Sequence, residues 1–389
     1  MVNTRKTSAP FVVISLMGIL LSTGCSFTLT SAPTPTRIPE SRLPTATTTP
    51  TEGAIQTEGS AEVLPPEGLD NLEPFAAENA AGLFEVNSLN VGAPVVGVFF
   101  AQEGRGYSLW MAVWDDANRS SRLEHWDLYT GRVIGDLASG ELLAPKSLSG
   151  TADGRWLVTA DESNVEIWDV FSGRPLVFDF EPSPWLAEIA VAPTSNFILA
   201  VGYASVDGTV VLIDMVSNQT ISVFRHGDYV SDIDFTSDGR YLASGAADGS
   251  LMIVDIQKLE ETSPFRETGW VDSLALELSP PGASAKGPLL ATSVSGAITL
   301  WDVAAGALLQ PLAGQAGIVE SMDFSPNGEI LASGGRFGAV VLWNTITGEA
   351  ISALQPDFGG IAQLAFSSDG TLLVAATQDG YVLIWAAGP

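Results

Sequence analysis

From about residue 82 to the end of the chain, hydrophobic and polar positions follow one repeated pattern. Three segments align without gaps, namely VESMDFSPNG at 319–328, VSDIDFTSDG at 230–239 and IAQLAFSSDG at 361–370. Each continues into a second apolar run, a glycine-containing turn and an aliphatic run. Because Asn-Gly and Asp-Gly pairs accept the positive φ angles of tight β-turns, the pattern predicts hairpins. One repeat is therefore predicted to be a small antiparallel sheet.

The residue near the end of each third strand sets the period. These residues are Trp126, Trp168, Ile213, Val254, Trp301, Trp343 and Trp385, with separations of 42, 45, 41, 47, 42 and 42 residues. In five repeats the next residue is Asp, at Asp127, Asp169, Asp214, Asp255 and Asp302. The spacing indicates seven copies of a single unit.

At these positions the chain resembles the WD-repeat family of β-propellers, whose repeat is a four-stranded blade. The resemblance implies an all-β fold: a seven-bladed propeller of four-stranded antiparallel blades over residues 80–389. The last repeat ends after three strands. We therefore expect residues 82–90 (GLFEVNSLN) to add the missing strand and close the ring.

The resemblance also implies a polar network within each blade that joins a His, a Ser or Thr, an Asp and the Trp. His226, Ser244 and Asp248 match it in the fourth repeat, where Val254 replaces the Trp. No repeat holds all four residues, so we expect apolar packing to dominate blade stability. The residues assigned a structural role in the blades are Trp126, Asp127, Trp168, Asp169, His226, Ser244, Asp248, Trp301, Asp302, Trp343 and Trp385.

The first 24 residues have the order of a secretory signal peptide. Arg5 and Lys6 precede an apolar run, which small residues and then Cys25 follow. The segment resembles a bacterial lipoprotein signal with Cys25 as the lipidated residue, although Ser22 stands where that family usually has an aliphatic residue. An ordinary signal peptidase cutting at the same place would instead leave a free thiol. Either cleavage predicts export across the cytoplasmic membrane, and lipidation would retain the protein on the extracytoplasmic side.

Residues 25–79 are rich in Ser, Thr, Pro and Glu. They contain too few apolar residues to offset the entropy of ordering the chain. We therefore expect a disordered linker between the anchor and the propeller.

The amino-acid composition argues against several classes of function. The formal net charge of −28 disfavours a nucleic-acid-binding surface, which needs basic residues to replace phosphate counterions. With one Cys and two His, the chain offers no disulfide framework and no Cys/His zinc site. We expect no cofactor, no metal site and a monomeric protein.

No catalytic constellation is found. His125 lies on a predicted strand and His226 belongs to the blade network, and neither accompanies a G-x-S-x-G nucleophile motif. The innermost strands carry carboxylates that would line the axial channel, at Glu188, Asp232, Asp234, Asp272, Glu320 and Asp323. Two interpretations stay open: a cation site with oxygen ligands, and a solvated acidic tunnel.

Aromatic residues precede the innermost strands of three neighbouring repeats, at Trp185, Tyr229 and Trp270. Aromatic side chains give large contact areas at small entropic cost and are enriched at binding hot spots. These three are the partner-binding candidates, unless each ring instead folds over its own blade.

The sequence thus predicts an extracytoplasmic, lipid-anchored propeller that serves as a protein–protein interaction scaffold. A first alternative is a carboxylate-dependent hydrolase or lyase with its site at the channel mouth. A second is a structural component of the envelope. Fold alone does not choose among them, since propellers host both binding proteins and enzymes.

Overall fold

A computed structural model describes residues 72–103, 106–115, 120–128, 130–138, 146–161, 164–177, 186–193, 197–262, 265–267, 269, 271, 273–278, 288–315, 317–355 and 358–388. The signal peptide, Cys25 and most of the linker lie outside these residues. Within them, no helix has the length and hydrophobicity needed to cross a bilayer.

The described residues form seven four-stranded antiparallel sheets, which are the blades. Blade 1 consists of β2 (Val95–Glu103), β3 (Gly106–Asp115), β4 (Ser120–Asp127) and β5 (Arg132–Ala138). Blade 2 consists of β6 (Ser147–Gly150), β7 (Trp156–Ala160), β8 (Val165–Asp169) and β9 (Arg174–Val177). Blade 3 consists of β10 (Leu186–Val191), β11 (Ile198–Tyr203), β12 (Thr209–Asp214) and β13 (Gln219–Arg225). Blade 4 consists of β14 (Val230–Phe235), β15 (Tyr241–Ala246), β16 (Leu251–Asp255) and β17 (Glu260–Thr262). Blade 5 consists of β18 (Ser273–Leu278), β19 (Pro288–Val294), β20 (Ala297–Asp302) and β21 (Ala307–Leu312). Blade 6 consists of β22 (Val319–Phe324), β23 (Ile330–Gly335), β24 (Val340–Asn344) and β25 (Ala350–Leu354).

Blade 7 combines both ends of the described chain. Its strands are β26 (Ile361–Phe366), β27 (Leu372–Thr377), β28 (Tyr381–Ala386) and, outermost, β1 (Phe84–Asn90), which follows a single 3-10 turn at Ala80–Gly82. β1 pairs antiparallel with β28, from Phe84 opposite Ala386 to Asn90 opposite Tyr381. The predicted seven-bladed fold and its closing strand are confirmed.

Innermost strands of neighbouring blades contact each other around the ring, including β26 of blade 7 with β2 of blade 1. Apolar side chains from facing blades fill the space between them. The core between blades 6 and 7, for example, contains Leu342, Leu364 and Leu383, all 3% exposed or less. Packing of this kind, repeated around the ring, stabilises the propeller.

The ring has two faces. The upper face carries the connections that lead into each innermost strand and the turns between second and third strands, such as residues 226–229 and 247–250. The lower face carries the turns between first and second strands, such as 236–240 and 325–329, and those between third and fourth strands. This division holds for blades 1 to 6, each of which is a simple antiparallel meander, and for β26, β27 and β28 of blade 7, whose fourth strand is β1.

The Ser/Thr-x-Asp/Asn-Gly segments recognised in the sequence form turns of the lower face. In blade 4, the Thr236 hydroxyl donates to Asp238 Oδ1 at 2.6 Å, and the Tyr241 backbone N–H donates to the Thr236 hydroxyl at 3.1 Å. Gly239 has φ of +65°, which a glycine adopts without steric cost. Equivalent hydroxyl-to-side-chain bonds occur at Thr151, Ser325 and Ser367. Side-chain bonding to the local backbone therefore fixes these turns.

Residues in the stretch predicted as linker contact the propeller. Leu72–Asn79 belong to that stretch, and Phe75 is only 1% exposed and packs edge-to-face on Phe366 with ring centroids 5.2 Å apart. The Phe75 N–H also donates to the carbonyl oxygen of Gly370 at 2.7 Å. The segment around Phe75 therefore packs against blade 7.

Candidate interaction face and channel

Tyr229 is the one predicted partner-binding residue that the structure describes. It lies on the upper face at the start of blade 4 and is 39% exposed. Its N–H donates to Asp228 Oδ1 at 2.8 Å, and its carbonyl accepts from the Ala247 N–H at 2.8 Å. The backbone is therefore held on both sides while the ring remains accessible. Trp185 and Trp270 lie outside the described residues.

A neighbouring turn of the upper face adds an apolar side chain to Tyr229. Val206 is 77% exposed. Its turn packs on the connection before blade 4, because the His226 N–H donates to the Gly208 carbonyl at 2.9 Å. Asp207 and Arg225 form an exposed ion pair at 3.5 Å beside it.

Blades 6 and 7 carry a larger apolar surface on the upper face, here called the blade 6–7 patch. It consists of Ile318, Phe337, Phe358 and Tyr381. Phe337 is 77% exposed and Ile318 is 41% exposed. The rings of Phe358 and Tyr381 pack against each other in a tilted arrangement, with centroids 4.3 Å apart and an interplanar angle of 33°.

The backbone holds this patch together. The Arg336 N–H donates to the Ile318 carbonyl at 3.1 Å, which joins the two loops of blade 6. A Cβ at Gly317 would lie 2.5 Å from the Phe337 ring, so a larger residue there would displace the ring from its place beside this loop. A Cβ at Gly338 would likewise lie close to the backbone oxygens of Phe358 and Gly359. The sequence analysis missed this patch. Its signal was Phe337, which stands where the corresponding turns of blades 4 and 7 have Asp before Gly.

The His226 network of blade 4 differs in one link from the family pattern. His226 is 8% exposed; its Nε2 lies 2.7 Å from Ser244 Oγ, and its Nδ1 lies 2.7 Å from Ser250 Oγ. The Ser250 hydroxyl then donates to Asp248 Oδ1 at 2.6 Å. Asp248 thus reaches the imidazole through a serine. Burial lowers the pKa of His226 to about 4, and the charge of Asp248 opposes this shift.

Two other blades replace the histidine with residues that the sequence analysis did not identify. In blade 5, the Trp301 indole donates to Thr292 Oγ1 at 2.9 Å, and that hydroxyl donates to Glu267 at 2.5 Å. In blade 6, the Trp343 indole donates to Ser333 Oγ at 2.8 Å, and that hydroxyl donates to Gln315 at 2.9 Å. Gln315 precedes Ser333 by 18 residues, the same spacing as His226 to Ser244, and that register was the available signal.

Blade 1 secures its tryptophans differently. The Trp126 indole donates to Glu124 Oε2 at 2.9 Å, and Arg122 pairs with the same carboxylate at 2.5 Å. His125 is 8% exposed and stacks on Trp110, with centroids 4.3 Å apart and an interplanar angle of 8°. These contacts give His125 a packing role.

The acidic residue after each third-strand position caps the turn that follows. Asp169 Oδ1 accepts from the Phe171 N–H at 3.1 Å, and Asp302 Oδ1 accepts from the Ala305 N–H at 2.8 Å. Asn344 bonds the N–H groups of the corresponding turn at 2.9 Å. Asp127 accepts from the Thr130 N–H at 3.2 Å. The repeated Asp is therefore a turn residue of the lower face.

Most of the described channel carboxylates satisfy backbone N–H groups. Innermost strands of five blades contain a register shift near their start. In blade 4, Asp232 and Asp234 accept from the N–H groups of Ile233 and Phe235 at 2.8 Å.

Elsewhere the acceptor comes from the preceding blade. Asp323 of blade 6 accepts from the Phe366 N–H of blade 7 at 2.7 Å, and Ser321 accepts from Leu364 at 3.0 Å. Glu320 instead pairs with Arg336 at 2.7 Å. Asp272 lies outside the described residues. Most of these acids thus have a structural role, and in the described part of the chain no group of three or more His, Cys, Asp or Glu side chains is arranged to hold a metal ion.

Glu188, like Asp232 and Asp234, accepts from the N–H of the residue that follows it, and its pKa is raised. Its Oε1 accepts from the Ile189 N–H at 3.1 Å. Burial, and then the charge of Asp232 on the next blade, raise the pKa of Glu188 to about 8, although Ser147, Ile189 and Lys146 act in the opposite direction. Near neutral pH this carboxyl group therefore holds a proton.

Comparison with known proteins agrees with the fold. The WD40 family model, described as WD domain, G-beta repeat, matches residues 218–255, 306–344 and 349–386. Each match begins near the outermost strand of one blade and ends with the third strand of the next. The sequence repeat is thus offset by one strand from the structural blade, which is why the last blade borrows its outermost strand from the N-terminal side.

Two relatives share shorter segments. The chain is 28% identical over 151 residues to the Retinoblastoma-binding protein 5 homolog of Drosophila melanogaster, covering 37% of this chain and 29% of that protein. It is 25% identical over 119 residues to the guanine nucleotide-binding protein subunit beta of Schizosaccharomyces pombe, covering 30% of this chain and 38% of that protein. The chain thus spans about a third of the length of these curated relatives. With the repeat matches, they support a WD-repeat family.

Proposed function

We propose that this protein is an extracytoplasmic interaction scaffold, lipid-anchored through Cys25, that binds a protein partner on the upper face of its propeller. The blade 6–7 patch carries this proposal. The exposed Phe337 and Ile318, with the partly buried rings of Phe358 and Tyr381 on the same face, give the aromatic and apolar composition that is typical of a binding hot spot. A WD40 propeller is a typical protein-interaction scaffold, which is consistent with the same conclusion.

Tyr229 and Val206 extend the proposed surface to blades 3 and 4. Trp185 and Trp270, which precede the innermost strands of blades 3 and 5 in the sequence, are proposed as further contacts. The described groups beside the surface include the ion pairs Asp207–Arg225 and Arg336–Glu320. Such exposed pairs contribute little to affinity and more to orientation and association rate.

The lower face supplies matched control residues. Phe171 is 76% exposed and Val216 is 75% exposed, values close to those of Phe337 and Val206. A photo-crosslinking side chain at position 337 should capture one defined protein from the envelope fraction, whereas the same group at position 171 should not. Phe337→Ala should then weaken binding of that protein at least tenfold, by about 1.4 kcal/mol or more, and Phe171→Ala should leave it unchanged. Equal capture at the two positions would refute an upper-face site.

The anchor is tested separately. Incorporation of a labelled fatty acid into the wild-type chain and its loss in Cys25→Ser would support lipidation at that residue. Export of an unlabelled chain cleaved before residue 25 would favour the ordinary signal peptide.

One observation favours the alternative function. Burial and the nearby charge of Asp232 raise the pKa of Glu188, and a carboxyl group with a raised pKa beside a second carboxylate is typical of acid–base sites. If the channel hosts hydrolysis or elimination, activity on a panel of glycans should disappear in Glu188→Gln. An activity that survives this change, or no activity on the panel, would leave the scaffold as the better conclusion.

A further inference from the structure

Residues Leu72–Gly82, here called the strap, cross the lower face of blades 6 and 7 before the chain enters β1. Their central residue is Phe75, whose ring packs on Phe366 of blade 7. The backbone of Phe75 bonds to both blades: its N–H donates to the Gly370 carbonyl at 2.7 Å, and its carbonyl accepts from Asn327 Nδ2 at 2.9 Å. One residue therefore joins the turns of two adjacent blades.

The strap has a defined shape of its own. Asn79 Oδ1 accepts from the Ala76 N–H at 2.8 Å, and Asn79 Nδ2 donates to the Pro74 carbonyl at 2.9 Å. The Ala77 N–H donates to Glu329 Oε2 at 3.4 Å. These bonds bend the chain so that Phe75 enters the core while the flanking residues stay at the surface.

The two ends of the strap contact the C-terminal end of the chain. Glu73 forms an isolated antiparallel bridge with Ala387, and the Gly82 carbonyl accepts from the Gly388 N–H at 3.0 Å. The strap therefore brackets the end of β28, the strand with which β1 pairs.

β1 needs such support more than any other outermost strand. In blades 1 to 6 a short turn joins the outermost strand to its neighbour, whereas β1 and β28 lie at opposite ends of the chain. The first residues of β1 are also weakly packed, since Phe84 is 37% exposed and a register shift falls between Glu85 and Asn87. Fraying would therefore begin at this end.

We propose that the strap is a lock on the ring: its Phe75 contact must open before β1 can separate from β28. The cleft between the lower turns of blades 6 and 7 is thus a binding site for a short peptide with a central aromatic residue, and residues 72–82 of the same chain occupy it. Opening of the strap and release of the closing strand are coupled because Phe75 and β1 lie on one continuous segment, which Ala387 and Gly388 hold at Glu73 and Gly82.

Hydrogen exchange of the full chain tests the lock. In Phe75→Ala, amides of β1 and of its partner β28 should exchange at least about tenfold faster than in the wild type, while those of β15 and β16 in blade 4 keep their rates. Phe171→Ala is the matched control, because it removes an exposed aromatic ring from another turn of the lower face and should have little effect on β1. Unchanged exchange in β1 of Phe75→Ala, with fast exchange in the strap, would overturn the proposal.

A peptide of residues 72–82 (LEPFAAENAAG) tests the cleft directly. Labelled and added to Phe75→Ala, it should bind with a measurable change in fluorescence anisotropy, and the same peptide with Ala in place of Phe should not. Because the free peptide is not joined to β1, exchange in β1 should stay fast. Failure of the native peptide to bind would contradict a peptide-binding cleft. If Phe75→Ala does not fold, Asn79→Ala and Asn327→Ala serve instead, since each removes a bond of the strap and leaves the core ring in place. Faster β1 exchange in both supports the lock, and unchanged exchange in both refutes it.

Discussion

The side-chain oxygen of Gln363 accepts a hydrogen bond from the backbone N–H of Val98 at 2.6 Å, although 265 residues separate them in the chain. Gln363 lies on the innermost strand of blade 7 and Val98 on that of blade 1. This bond closes the ring at the channel, as the pairing of β1 with β28 closes it at the rim.

We expect Gln363→Ala to destabilise the protein by about 1–3 kcal/mol, because the Val98 N–H is left without its acceptor at a residue that is 2% exposed. Urea unfolding measures the change. Gln355→Ala, on the exposed connection between blades 6 and 7, is the control and should cost less than about 0.5 kcal/mol. Equal effects of the two substitutions would show that the channel bond does not stabilise closure.

Two threonines at equivalent positions should respond differently to replacement by valine. Thr292 joins Trp301 to Glu267 in blade 5. In blade 2, neither the Thr159 hydroxyl nor the Trp168 indole N–H has a hydrogen-bond partner among the described residues, and both residues are 2% exposed or less. Thr292→Val should cost about 1–3 kcal/mol, since it leaves buried polar groups unpaired, whereas Thr159→Val should be neutral or stabilising. Thermal unfolding of the two variants distinguishes these outcomes, and a larger loss in Thr159→Val would be the contradictory result.

Stability should fall in acid through His226. Because the folded protein has a His226 pKa of about 4, below its ordinary value of 6.5, the unfolded chain binds a proton over this range and the folded chain does not. The contribution is complete above pH 6.5 and decreases toward pH 4, by up to about 3 kcal/mol.

His226→Gln copies the side chain that blade 6 uses at Gln315 and should reduce this pH dependence. The measurement is the difference in unfolding free energy between the wild type and the variant across that range. A difference that stays constant with pH would show that His226 does not titrate differently on folding.

Glu188 should act in the opposite direction. Its folded-state pKa of about 8 lies above the ordinary value of 4.5, so between these values the folded protein retains a proton that the unfolded chain has released. Stability from this group therefore decreases as pH rises from 4.5 through 8. Glu188→Gln should remove that decrease, and urea unfolding at intervals over the range measures it. Parallel curves for wild type and variant would contradict the raised pKa.

Many residues of the candidate site could be predicted from their type and position in the repeat, but the extent of the surface depends on the three-dimensional arrangement. Tyr229 was found because its position is fixed relative to a repeated strand. The blade 6–7 patch was missed because it combines residues from three connections, and the exposed Phe337 ring lies against Gly317 of a different loop. Similarly, Glu188 and Asp232 were identified as channel acids, whereas the difference between them depends on burial and on the hydrogen bonds each one makes.

The number of blades, the order of strands and the turns of the lower face could be predicted from the amino-acid sequence alone. Those features depend on interactions between residues close in the chain: the Thr236 hydroxyl and Asp238, or the alternation of apolar residues along β14. The contacts across the closed ring, in contrast, could be identified only from the three-dimensional structure. The contact of Phe75 with Phe366 and the bond from Val98 to Gln363 exist because seven wedge-shaped sheets bring distant segments together, and no local pattern encodes that proximity.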